Sequence, residues 1–65
     1  MEAIKYRRIE RAGEALLAYE LEDGGARADQ HMVDLVTDLR HYAANAGIDF
    51  ERVLEMSAVH FGEEG

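Results

Sequence analysis

Residues 29–61 read DQHMVDLVTDLRHYAANAGIDFERVLEMSAVHF, and this stretch decides the fold. Asp29 stands where an N-cap would, its carboxylate beside free backbone N–H groups. Met32, Leu35, Val36, Leu39, Tyr42, Ala43 and Ala46 then fall within about 120° of a helical wheel, a core-facing stripe. Gly47 offers the left-handed residue that stops a helix, and Ile48 is placed for the apolar contact of a Schellman-type end. Asp49 caps the next helix, with Ile48 and Val53 at the two positions of a hydrophobic staple. Phe50, Val53, Leu54, Ser57, Ala58 and Phe61 share one face of that helix, and Gly62 reads as its end. Helices over about 30–46 and 50–61, with so short a link, must form a tight hairpin or corner.

Upstream, a further helix is expected over about 3–20. Tyr6, Ile9, Ala12, Gly13, Leu16, Leu17 and Tyr19 lie within roughly 160° of its wheel, opposite Arg7, Glu10, Arg11 and Glu14. Gly13 weakens the interior by about 1 kcal/mol relative to alanine, and a basic start opposes the helix dipole. Residues 3–9 are therefore also compatible with an extended arm. The Glu22-Asp23-Gly24-Gly25 run breaks the helix, with a loop over 21–28. The expected fold is all-α: one domain over 1–65, three helices, a corner between the second and third, completed by dimerisation. Its core should contain Ile9, Leu16, Leu35, Val36, Leu39, Tyr42, Phe50, Val53, Leu54 and Phe61. A homodimer would also cover Leu17, Met56 and Val59, which lie near the edges of these stripes.

Length and composition limit the alternatives. The chain has 65 residues without cysteine, proline or tryptophan, so no disulfide or zinc–thiolate site can staple it. A domain of this size buries only about 60% of its unfolded surface, which is why a second copy is attractive. No stretch approaches the roughly 20 apolar residues of a membrane span, and the charged residues behind Glu2 leave no room for a signal peptide. The chain reads as soluble and cytoplasmic. Its formal charge of −7 is unevenly placed. Residues 1–28 carry five basic groups against six acids, whereas residues 29–65 carry two against eight. An acidic half of this kind repels nucleic acid and lipid phosphates and attracts basic surfaces.

Three constellations carry chemical possibilities. The Ala43, Gly47, Ile48, Val53 spacing matches a helix-turn-helix skeleton, in which the last helix would enter the DNA major groove. The first turns of that helix hold Asp49, Phe50, Glu51, Arg52 and Glu55, the wrong sign for phosphates. His31, Asp34, Asp38 and His41 form a ladder beside the apolar stripe, a spacing that can share a divalent metal if a second copy completes it. Asp34/Asp38 and Glu51/Glu55 are i,i+4 pairs, each about 6 Å along its axis, so they can present rows of carboxylates to a basic partner. Catalysis and cofactor binding are not expected. There is no cysteine, no Asp/His relay to Ser57 at readable spacing, and no phosphate loop after Gly24-Gly25. The basic group Lys5, Arg7, Arg8 and Arg11 reads as a solvated helix face or as a complement to the acidic half of another copy.

Residues 34–61, DLVTDLRHYAANAGIDFERVLEMSAVHF, carry a D-L-x-x-D-L-x-H-Y helix, then G-I-D-F, then an apolar helix ending in H-F. This stretch resembles the C-terminal part of small proteins of phages, plasmids and integrated elements. The match rests on Asp34, Asp38, His41, Tyr42, Gly47, Asp49, Phe50, His60 and Phe61 and covers about 28 of the 65 residues. The resemblance implies a mobile-element setting, in which short acidic proteins act as inhibitors or adaptors of host machinery; anti-CRISPR proteins are one such class. Combined with the charge, it gives the expected function: a non-enzymatic module docking on a basic protein through Asp34, Asp38, Glu51 and Glu55. The rivals are a DNA-binding regulator and a dimeric metal protein using His31, Asp34, Asp38 and His41.

Overall fold

Gly47 adopts the left-handed conformation its place demands, with φ 70° and ψ 28° in the computed structural model, which describes residues 2–64. The N–H groups of Gly47 and Ile48 both donate to the Ala43 carbonyl, the latter at 2.9 Å, and close α2 (Ala28–Ala46). α3 (Phe50–Glu64) begins three residues after Gly47. Asp49 Oδ1 accepts the Arg52 N–H at 3.2 Å and its carbonyl accepts that of Val53 at 3.2 Å. That cap satisfies donors a helix start would otherwise leave free. Arg40 of α2 spans the corner. Its guanidinium lies 4.8 Å from the centroid of the Phe50 ring, and Nη1 reaches Glu51 Oε1 at 3.5 Å.

α1 (Glu2–Glu22) is one continuous helix, so residues 3–9 form no extended arm. The backbone hydrogen-bond ladder carries through Gly13 and outweighs its cost. The break is shorter than the expected 21–28 and occupies 23–27. It is held by Asp23 N–H donating to the Tyr19 carbonyl at 2.9 Å and Ala26 N–H to the Asp23 carbonyl at 3.2 Å. His31 Nε2–H donates to the same Asp23 carbonyl at 2.9 Å, with the residue 3% exposed. Asp29 is not the N-cap. Extended Arg27 (φ −78°, ψ 158°) holds that position without a side-chain bond, and Asp29 sits in the first turn, ion-paired to Arg27 at 3.3 Å. An acid there still favours the helix dipole, which is why either register satisfies the sequence.

Gly62 does not end α3. The helix runs through Glu64, whose carboxylate forms a two-pronged ion pair with Arg8 of α1, Oε1 with Nε and Oε2 with Nη2, the latter at 2.9 Å. Adding a contact across the fold extends the helix past a residue of poor propensity.

The fold is all-α, three helices with no strand among the described residues. Its shape departs from the expected core. The chain fills a slab of 34 × 31 × 15 Å with a radius of gyration of 13.3 Å, where a compact chain of this length has about 10.7 Å. Ala43 is the buried apolar residue among those described. Of the ten expected core residues, Leu16, Leu35 and Phe50 are half-buried. Ile9, Val36, Leu39, Tyr42, Val53, Leu54 and Phe61 are exposed. The three helices spread into an open slab, which leaves much of their apolar faces uncovered.

The two glycines separate helix propensity from turn geometry. A Cβ on Gly13 meets nothing within 4 Å, so Gly13→Ala should gain about 1 kcal/mol. Gly47→Ala also meets no atom, yet its positive φ makes alanine cost about 1–2 kcal/mol. Denaturation monitored by helical circular dichroism should shift in opposite directions for the two; equal effects would mean that the corner does not require the left-handed residue.

Candidate protein-interaction surface

Asp34 and Asp38 project from α2, Glu51 and Glu55 from α3, and all four are exposed. They are not equivalent. Asp38 Oδ2 accepts the Tyr19 hydroxyl at 2.6 Å and so ties the end of α1 to the middle of α2. Glu51 belongs to the Arg40 bridge at the corner. Asp34 and Glu55 enter no side-chain hydrogen bond or ion pair among the described residues. The four-carboxylate ladder therefore divides into two groups that hold the fold and two that face solvent unpaired. Single-helix spacing cannot reveal that division, because both internal partners come from another helix.

The Tyr19 phenol is pushed up to about 12, first by its hydrogen bond to Asp38, then by partial desolvation and by the negative charges of Asp38, Asp34 and Glu22. A phenolate there would lose its donor role and face three carboxylates.

Within the single chain, His31, Asp34, Asp38 and His41 do not gather into one group. His31 Nε2 is committed to the Asp23 carbonyl and Asp38 to Tyr19. Among the described residues no three His, Asp or Glu side chains are arranged to hold a metal. The helix-turn-helix skeleton does form a corner, with Ala43 as its buried small residue and Glu51, Arg52 and Glu55 exposed on the following turns.

A second feature escapes a helix-by-helix reading. A cleft of about 620 Å³ opens between α1 and α3. Ile9 and Phe61 line it with Ser57 and His60, and the Arg8–Glu64 pair with Lys5 completes it. Ser57 and His60 make no side-chain hydrogen bond among the described residues, so sharing the cleft does not make them a catalytic relay. The Arg8 hydrogen bond holds the Glu64 carboxyl below the usual carboxylate range, against the opposing effect of desolvation. Its stabilising effect is present above the unfolded carboxyl pKa and is lost as pH falls through the lowered folded value. The signal for this cleft is the spacing 57, 60/61, 64 on α3 against 5, 8/9 on α1, legible only once the helix is known to continue past Gly62.

Fold and surface together define a class: an open three-helix domain with exposed carboxylates on its second and third helices, among them Asp34 and Glu55, that are unpaired among the described residues. No helix is long and apolar enough to cross a membrane among the described residues. No protein-family model, curated protein or solved structure matches the chain.

The Tyr19–Asp38 bond is directly measurable. In a chain with Tyr6 and Tyr42 changed to phenylalanine, tyrosinate absorbance should report a midpoint near 12 for Tyr19. Asp38→Asn should bring it down toward the ordinary 10. Because the folded pKa is raised, the bond's stabilisation is complete below about pH 10 and lost as pH climbs through the folded value. An unchanged midpoint in the asparagine variant would remove Asp38 as the cause.

Proposed function

We propose that this chain is a non-enzymatic protein-interaction module that presents the carboxylates of α2 and α3 to a basic partner surface. The observation that carries it is the pair Asp34 and Glu55, exposed and without an ion-pair partner among the described residues, within a segment of net charge −6 over residues 29–65. Unpaired exposed carboxylates keep their full field for an incoming cation, whereas those already bridged to arginine offer less. The resemblance of residues 34–61 to phage and plasmid proteins would place that partner in host machinery, with the chain as inhibitor or adaptor.

Asp34→Lys with Glu55→Lys changes the surface without touching the Tyr19 or Arg40 contacts. Capture from the cells that encode the chain, with the mass of the complex measured, should recover a stoichiometric basic protein with wild type. Recovery should fall at least about tenfold with the double variant, whose helical circular dichroism stays unchanged. Association of unlike charges should also weaken as salt rises. Undiminished capture by the double variant would reduce the acidic surface to a solubilising role. DNA retained in a mobility-shift assay with a steep salt dependence would favour the groove-binding reading instead.

A further inference from the structure

We infer that the exposed apolar row of α2 is the self-association surface of this protein, and that its occupant is the same row of a second copy across a twofold axis.

Met32, Val36, Leu39 and Ala43 follow one another at spacings of four, three and four residues, the repeat of a helix–helix seam. Ala43, the last of the row, lies at the corner and is buried, whereas Met32, Val36 and Leu39 are 55%, 39% and 45% exposed. The corner covers Ala43, whereas the other three are left only partly covered among the described residues.

The missing area matches a protein of this size. The chain exposes 5535 Å² at a mass of 7.3 kDa, where a compact monomer of that mass exposes about 4,200 Å². The surplus of roughly 1,300 Å² exceeds the about 800 Å² per partner of a standard interface and suits an obligate homodimer. A twofold arrangement is economical because one row then covers itself.

Like-charge repulsion is the main objection, since each copy carries −7. The placement of the α2 carboxylates answers it. Asp29, nearest the row, is ion-paired to Arg27, and Asp38 is bonded to Tyr19 on the side facing α1. Asp34 lies about 190° around the helix from the row's centre. No unpaired α2 carboxylate among the described residues borders the seam.

The test uses the full chain alone. Sedimentation equilibrium in the micromolar range should give twice the 7.3 kDa chain mass. Val36→Lys should raise the dissociation constant at least about 100-fold, since each dimer would bury two unpaired charges. The natural chain has no cysteine, so single introductions map the surface even if that lysine variant unfolds. Val36→Cys should form a disulfide-linked dimer under mild oxidation, and Asp34→Cys on the opposite side should not. A folded monomer across that range, a larger assembly, or equal cross-linking at both positions would overturn the proposal. No basic partner enters these readouts, so failure here leaves the acidic-surface reading standing, and the reverse also holds.

Discussion

The left-handed backbone at Gly47 lets just three residues, Gly47, Ile48 and Asp49, join α2 to α3, and the rest of the structure depends on that constraint. A left-handed residue ends α2 by turning its N–H and the next one back onto the Ala43 carbonyl, which places Asp49 to cap α3 at once. The close approach buries Ala43 and leaves Arg40 within reach of Phe50 and Glu51. The direction of α3 then determines whether its far end meets α1. It does, where Glu64 pairs with Arg8, fifty-six residues away in sequence. One glycine thus governs both the corner and the cleft between α1 and α3.

Polar contacts mark each of the other places where the helices meet. The turn after α1 is pinned by buried His31, the α1–α2 crossing by Tyr19 and Asp38, and the α1–α3 crossing by Arg8 and Glu64. Water competes for exposed hydrogen bonds and ion pairs of this kind, so each contributes little net stability. They define where helices cross more than they stabilise the fold. Burial supplies the driving force for most domains, and here sixteen large apolar side chains are exposed among the described residues. The directional contacts set where the helices cross, and the apolar side chains are only partly covered within the single chain.

What was legible in the sequence follows from the range of each interaction. The cap at Asp49 and the stop at Gly47 are local, set by residues within five positions of one another, and they stand where the spacing puts them. The continuation past Gly62 was hidden because its cause is Arg8, a residue of another helix. The role of His31 was hidden for the same reason: beside Asp34 it resembles a ligand, and only the path of the loop shows that its ring donates to Asp23. The expected core failed differently. A helical wheel shows that Val36 and Leu39 require cover, but it cannot show that the cover lies within the same chain. Of the four acidic candidates, spacing gave all four positions, but not that Asp38 and Glu51 are spent on Tyr19 and Arg40.

The apolar row and the unpaired carboxylate Asp34 occupy opposite sides of α2, so one helix can serve self-association and docking without the two competing for surface. They differ in how they respond to salt. Joining two chains of charge −7 works against a repulsion that counterions screen, so added salt should tighten the pair. Docking an acidic edge on a basic partner draws on an attraction that the same ions weaken. Beyond a Debye length, about 8 Å at physiological ionic strength, both effects fade, so the proposed seam would be the more salt-tolerant of the two. A partner that is itself twofold would meet two Asp34 edges held at a fixed separation and gain from the raised effective concentration of the second. A partner with a single basic site would engage each edge independently. The symmetry of the partner, as much as its charge, would then decide how tightly so small a protein can hold it.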